Sequence, residues 1–188
     1  MKKNIISTQA LTICLFVLAA AAGRLITNEI HLWNFAPIAA MGLFAGSNFK
    51  SKIQALLIPV SAMLLTDMVL GLHKGMIVIY GTFAVITCIG FWLKNHYKAH
   101  FIVGAALVSS VIFFAVTNFG VWFAGNLYSH DFSGLIQCYI AAIPFIGNPA
   151  NSPFTINSFA GDLFYTCFLF GGYELAKKSF PSISAIRN

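Results

Sequence analysis

Asp67 and Asp162 are carboxylates set deep in two different apolar stretches of this chain. A carboxylate is costly inside a bilayer, so it commonly marks a site. Each acid lies fifteen residues from the lysine that ends its own stretch, Lys52 for Asp67 and Lys177 for Asp162. Tyr80 is fourteen residues from Lys94, and Asn34 is sixteen from Lys50. At 1.5 Å per helical residue, these four side chains share a level roughly 21–24 Å above one boundary. Arg24, Asn118 and Trp122 fall higher, near the opposite edge. The other half carries no buried charge except Glu174, which neighbours Lys177 and Lys178. A channel or proton path needs polar groups through the full thickness. Polarity at one end instead fits a cup, with acids and amides to bind a guest, Arg24 to balance charge, and Tyr80 and Trp122 as walls.

A plainer reading competes with this one. Asp67 or Asp162 pairs with Arg24 and simply joins helices. Trp33, Trp122 and Tyr128 then serve as interfacial anchors. Cys138 and Tyr139, on a short apolar stretch, are read either as packing residues or as contacts to a guest. His73, in the loop GLHKG, is a loop histidine or a ligand contact. Imidazole is the commonest protein metal ligand, so His73 is also a candidate axial ligand to a metal carried by a cofactor-like guest. His96 and His100 have the HxxxH spacing but flank a cytoplasmic loop and read as solvated; no HExxH or Cys/His cluster occurs, so no protein-held metal is expected. No Walker motif, GxGxxG or GxSxG occurs either. ATP binding and serine-nucleophile chemistry lack support, and no resident cofactor is expected.

These residues are positioned by a hydrophobic chain. Of its 188 residues, 59% are hydrophobic and only 9% charged, far below the quarter or so of a soluble domain. The apolar runs read as six membrane-spanning helices at about 5–25, 35–49, 53–72, 76–93, 101–124 and 155–175. Residues 134–147 are too short to span and read as an interfacial or re-entrant helix. The second run is also short, with Pro37 suited to a first helical turn. The stretch Thr27 to Phe35 is expected to fold over the outer mouth. Ala19 and Gly23 are spaced for close helix packing. The fold class is thus all-α and integral to the membrane, as one domain over residues 1–188.

The net charge of +6 could suggest nucleic acid, but the basic residues sit in short clusters between apolar runs. With the N-terminus inside, Lys2, Lys3, Lys50, Lys52, Lys94, Lys98, Lys177, Lys178 and Arg187 are cytoplasmic. Only Arg24 and Lys74 fall outside. This bias predicts an inner-membrane protein with both termini cytoplasmic. Lys2, Lys3, the apolar run and Ala19 to Ala22 also resemble a secretory signal, although the run is long enough to span. Cys14, Cys88 and Cys167 are expected as small core residues, without a disulfide framework.

Several stretches carry a resemblance: NFAPIAAMGLFAG (34–46), LLIPVSAMLLTDMVLG with His73 (56–73), VIY (78–80), FFAVTNFGVW (113–122), GLIQCYIAAIPF (134–145) and GDLFYTCFLFG (161–171). Through them the chain resembles small bacterial membrane proteins of unknown function, similar in turn to the S components of energy-coupling-factor vitamin transporters. That resemblance implies a six-helix cup for a micronutrient and a possible energy-coupling module as partner. In the cobalamin-uptake (BtuM-like) members, a cysteine after the third span holds the corrin cobalt. This chain has His73 in that loop, so a corrinoid is one candidate substrate. The open alternatives are a membrane-embedded enzyme using Asp67, Asp162 and His73 on a lipid or periplasmic molecule, and a non-catalytic subunit of a larger complex.

Overall fold

In hydrocarbon, backbone N–H and C=O groups must be satisfied within the protein, and a helix does this inside a single segment. The computed structural model describes residues 2–31, 35–73, 75–146 and 157–179. Among them are seven α-helices and no strand. In chain order they are α1 (Lys2–Glu29), α2 (Ile38–Asn48), α3 (Lys52–Leu70), α4 (Met76–Leu93), α5 (Ala99–Ala124), α6 (Phe132–Ile146) and α7 (Asn157–Ser179). The helices α3, α4 and α5 are long and apolar enough to cross a membrane.

Polarity is arranged for lipid rather than water. Leu18, Met68, Val69, Val111 and Phe168 are exposed, while Ser47, Thr66, Asp67, Ser110 and Thr166 are buried. Such an exposed apolar surface suits contact with lipid. The cysteines depart from expectation on the same grounds. Cys14, Cys88 and Cys167 face outward, and only Cys138 is buried. In an apolar surrounding, a small polarizable thiol loses nothing on the outer face of a helix.

Two boundaries move by an informative amount. The first helix continues through Thr27 and Asn28 to Glu29, so this part of the expected mouth-covering stretch is helical. Thr27 returns its hydroxyl to the carbonyls of Gly23 (3.0 Å) and Arg24 (3.1 Å), which suits a helical interior. The second helix starts at Ile38, with Pro37 one position before it. At eleven residues it is about 16 Å long, roughly half a bilayer core.

That short helix is the centre of the molecule. Every residue of α2 is buried, and α1, α3, α4, α5 and α7 all pack against it. Its glycines explain how α4 comes so close. A Cβ on Gly46 would lie 2.4 Å from the Thr87 carbonyl oxygen and 2.8 Å from Gly90 Cα. A Cβ on Gly90 would lie 2.6 Å from the Leu43 carbonyl oxygen. Small residues let backbones touch, which drives helix association where lipid is as apolar as the core. On the far side, Phe44 stacks on Phe16 of α1 at 5.3 Å and meets Phe170 and Tyr173 of α7 edge-on. Gly23, spaced from Ala19 as expected for packing, faces the start of α2, where its Cβ would be 2.9 Å from Pro37 Cγ.

Candidate functional site

The end of α3 sets the first half of the site. Gly71 adopts φ +107°, a conformation that a side chain resists, and its N–H caps the Asp67 carbonyl at 2.9 Å. Asp67 therefore sits in the last turn of α3. Tyr80 lies in the second turn of α4, and Arg24 in the penultimate turn of α1.

These three side chains meet. Arg24 Nη1 donates to Asp67 Oδ1 at 2.6 Å, and the Tyr80 hydroxyl donates to Asp67 Oδ2 at 2.7 Å. Arg24 Nη1 also donates to the Thr66 hydroxyl oxygen. Thr66 in turn donates into its own helix, at the carbonyls of Met63 (2.9 Å) and Ala62 (3.1 Å). Asp67 is 1% exposed, so its charge is fully desolvated and both its oxygens are occupied. A buried charge paired and hydrogen-bonded in this way avoids most of its burial cost. The Arg24 side chain keeps 20% exposure. Both of its bonds leave from one nitrogen, so Nε and Nη2 have no partner among the described residues. The guanidinium thus retains N–H donors for a planar anionic or carbonyl group.

Asp162 belongs to a second polar cluster. It is 7% exposed on α7 and accepts a 2.6 Å hydrogen bond from Ser110 of α5 through Oδ2. Ser110 also contacts the Ala106 carbonyl at 3.2 Å. Asp67 therefore ties α3 to α1 and α4, while Asp162 ties α7 to α5. Arg24 pairs with Asp67, and no hydrogen bond links the two acids among the described residues.

The remaining candidates are placed as follows. Asn118 donates Nδ2 to the Phe114 carbonyl of its own helix at 2.7 Å. Trp122 donates Nε1 to the Ser129 carbonyl at 2.9 Å and meets His130 edge-on. The Tyr139 hydroxyl donates to the Ala115 carbonyl at 2.7 Å, and Cys138 Sγ lies 3.4 Å from the Asn118 carbonyl. These four residues join α5 to the following loop and to α6. His73 is exposed, and its ring makes no hydrogen bond among the described residues. Asn34, like Trp33, lies outside the described residues.

The start of α6 is anchored by Asp131. Its Oδ1 accepts from the Gly134 amide at 2.7 Å and from the Ser129 hydroxyl at 2.9 Å, which is a helix N-cap. The Gly134 N–H, followed by the Ser129 hydroxyl, holds the carboxyl below the ordinary aspartate value. Sequence reasoning missed Thr66, Ser110 and this cap. Thr66 was signalled by its place beside Asp67, and the cap by the spacing from Asp131 to Gly134. Nothing along the chain pointed to Ser110.

No curated protein and no solved structure matches the chain. A family model described as a family of unknown function (DUF6580) matches residues 4–183, nearly the whole length. The chain therefore belongs to this family of unknown function.

Proposed function

We propose that this protein binds a small vitamin-like molecule from the outer side of the bacterial inner membrane and serves its uptake. In this reading the chain crosses six times, the second time by way of a helix that reaches only about halfway, and α6 does not cross. At 28 and 23 residues, α1 and α7 are about 42 Å and 35 Å long, sufficient to span. The half-length α2 is the second crossing. With its Lys50 end cytoplasmic, its Pro37 end lies partway through the bilayer, beneath the outer mouth. That geometry suits an S-component-like cup.

The single observation carrying the proposal is the unspent side of Arg24. Its charge is balanced by Asp67, and its Nε and Nη2 donors, on a partly exposed group, have no partner among the described residues. A corrinoid is one candidate guest, with the exposed His73 imidazole as cobalt ligand. An energy-coupling module is a candidate partner, although Gly23 is already used against Pro37 within the chain. Catalysis by Asp67, Asp162 and His73 receives less support. Asp67 is committed to Arg24 and Tyr80, Asp162 to Ser110, and no bond joins them.

The test is mass spectrometry of molecules that copurify with the protein in mild detergent. Arg24→Lys keeps a charge for Asp67 but loses the planar fork. It should leave the thermal midpoint near wild type and release the bound molecule. Equal retention by wild type and variant refutes the assignment.

A further inference from the structure

Among the described residues, the buried serine and threonine hydroxyls follow a rule with two exceptions. Thr27, Ser47, Thr66, Thr82, Thr87 and Ser110 each turn the hydroxyl back to a carbonyl three or four residues earlier. That is the usual resting state of such residues in helices. Ser109 and Thr166 are fully buried, and neither hydroxyl has a hydrogen-bond partner among the described residues. Ser109 precedes Ser110, the residue that bonds Asp162, and Thr166 follows Asp162 by one turn on α7. Two orphaned hydroxyl oxygens therefore lie on the same two helices as a buried carboxylate, one next to Ser110 and one a turn from Asp162.

The charge balance is also incomplete. The ion pair between Arg24 and Asp67 gives Asp67 its cation, whereas no basic side chain lies within ion-pair distance of Asp162 among the described residues. A carboxylate in a low-dielectric interior either takes up a proton or finds a positive partner. Unused hydroxyl lone pairs beside it are hard oxygen donors, the type that binds hard cations. One carboxylate neutralises a single positive charge, so a divalent ion would leave an excess charge in the membrane. The buried residues of α5 are Ile102, Ala105, Ala106, Ser109 and Ser110, and the last four are small enough to permit close helix approach. Close approach favours a small ion.

We infer that Asp162, Ser109, Ser110 and Thr166 form a binding site for a monovalent alkali cation, sodium, between α5 and α7. The site is separate from the Arg24 cluster, and the inference does not depend on the uptake reading. A bound ion would lock α5 to α7, which gives sodium a means to set the packing of the bundle.

The experiment is thermal unfolding of the purified full-length protein in detergent, at fixed pH and ionic strength, with sodium exchanged for potassium or choline. Saturable stabilisation by sodium alone is expected, together with saturable binding of radioactive sodium. Asp162→Asn should abolish both. Ser109→Ala and Thr166→Val keep the carboxylate and nearly the same volume. Each should weaken sodium binding about tenfold, the equivalent of one lost hydroxyl contact, without lowering the sodium-free midpoint. If Asp162→Asn fails to fold, these two variants decide the matter. Equal stabilisation by all three salts, no response in wild type, or an unchanged sodium response in Ser109→Ala and Thr166→Val overturns the proposal.

Discussion

Replacing Arg24 with methionine leaves the Asp67 carboxylate 1% exposed and without its cation, and this is the sharpest test of the α1–α3 connection. Removing one member of a buried ion pair costs about 3–5 kcal/mol. Arg24 retains 20% exposure, so the lower end, about 3 kcal/mol, is the appropriate estimate. That loss shifts the folding equilibrium by roughly two orders of magnitude. Asp67→Leu strands the guanidinium instead, but a partly exposed arginine can reach polar surroundings, so its loss should be about 2 kcal/mol. The double variant Arg24→Met with Asp67→Leu strands neither charge. Apolar replacement of a whole buried pair is often close to neutral, so the double should lose about 1 kcal/mol or less. The singles then sum to about 5 kcal/mol, and the coupling is about 4 kcal/mol. Reversible denaturant unfolding in mixed micelles can measure all four proteins. Additivity within about 0.5 kcal/mol would mean that the two residues do not interact, and the site as described would be wrong.

Other expectations follow from individual contacts. Gly90→Val drives a side chain into the Leu43 carbonyl, whose oxygen would be 2.6 Å from the new Cβ, and should cost about 1–3 kcal/mol or block assembly. Gly104→Ala, with nothing within 4 Å of its Cβ, is the matched control and should be neutral or slightly stabilising in the same unfolding assay. Tyr139→Phe leaves the Ala115 carbonyl without its donor and should cost about 0.5–1.5 kcal/mol, with faster amide exchange in α6. Asp131 gives a pH dependence of defined sign. Its folded value lies below the ordinary one, so its contribution is complete above about pH 4 and is lost as pH falls through the lowered folded value. Hydrogen exchange across residues 132–136 should therefore accelerate with acid beyond the intrinsic chemical rate in wild type, and Asp131→Ala should remove that excess.

The all-helical class, with helices apolar enough to cross a membrane, and the position of most elements were determined by the sequence alone. Continuous apolar runs bounded by Lys, Gly and Pro leave few alternatives, and α4 falls on the expected residues 76–93. Axial height was legible in part: Asp67 and Tyr80, assigned one level by counting, are in contact at 2.7 Å, whereas Arg24, assigned a higher level, also reaches Asp67 at 2.6 Å. Azimuth was not legible. Lipid and protein interior are both apolar, so no stripe along α3, α5 or α7 reveals which face turns inward, and each residue rotates the face by about 100°. Only the assembled bundle decided that Arg24 serves Asp67, that Asp162 turns to Ser110, and that α2 is enclosed through Gly46 and Gly90. Those outcomes depend on how closely backbones can approach one another, a property shared between helices and written in no single one of them.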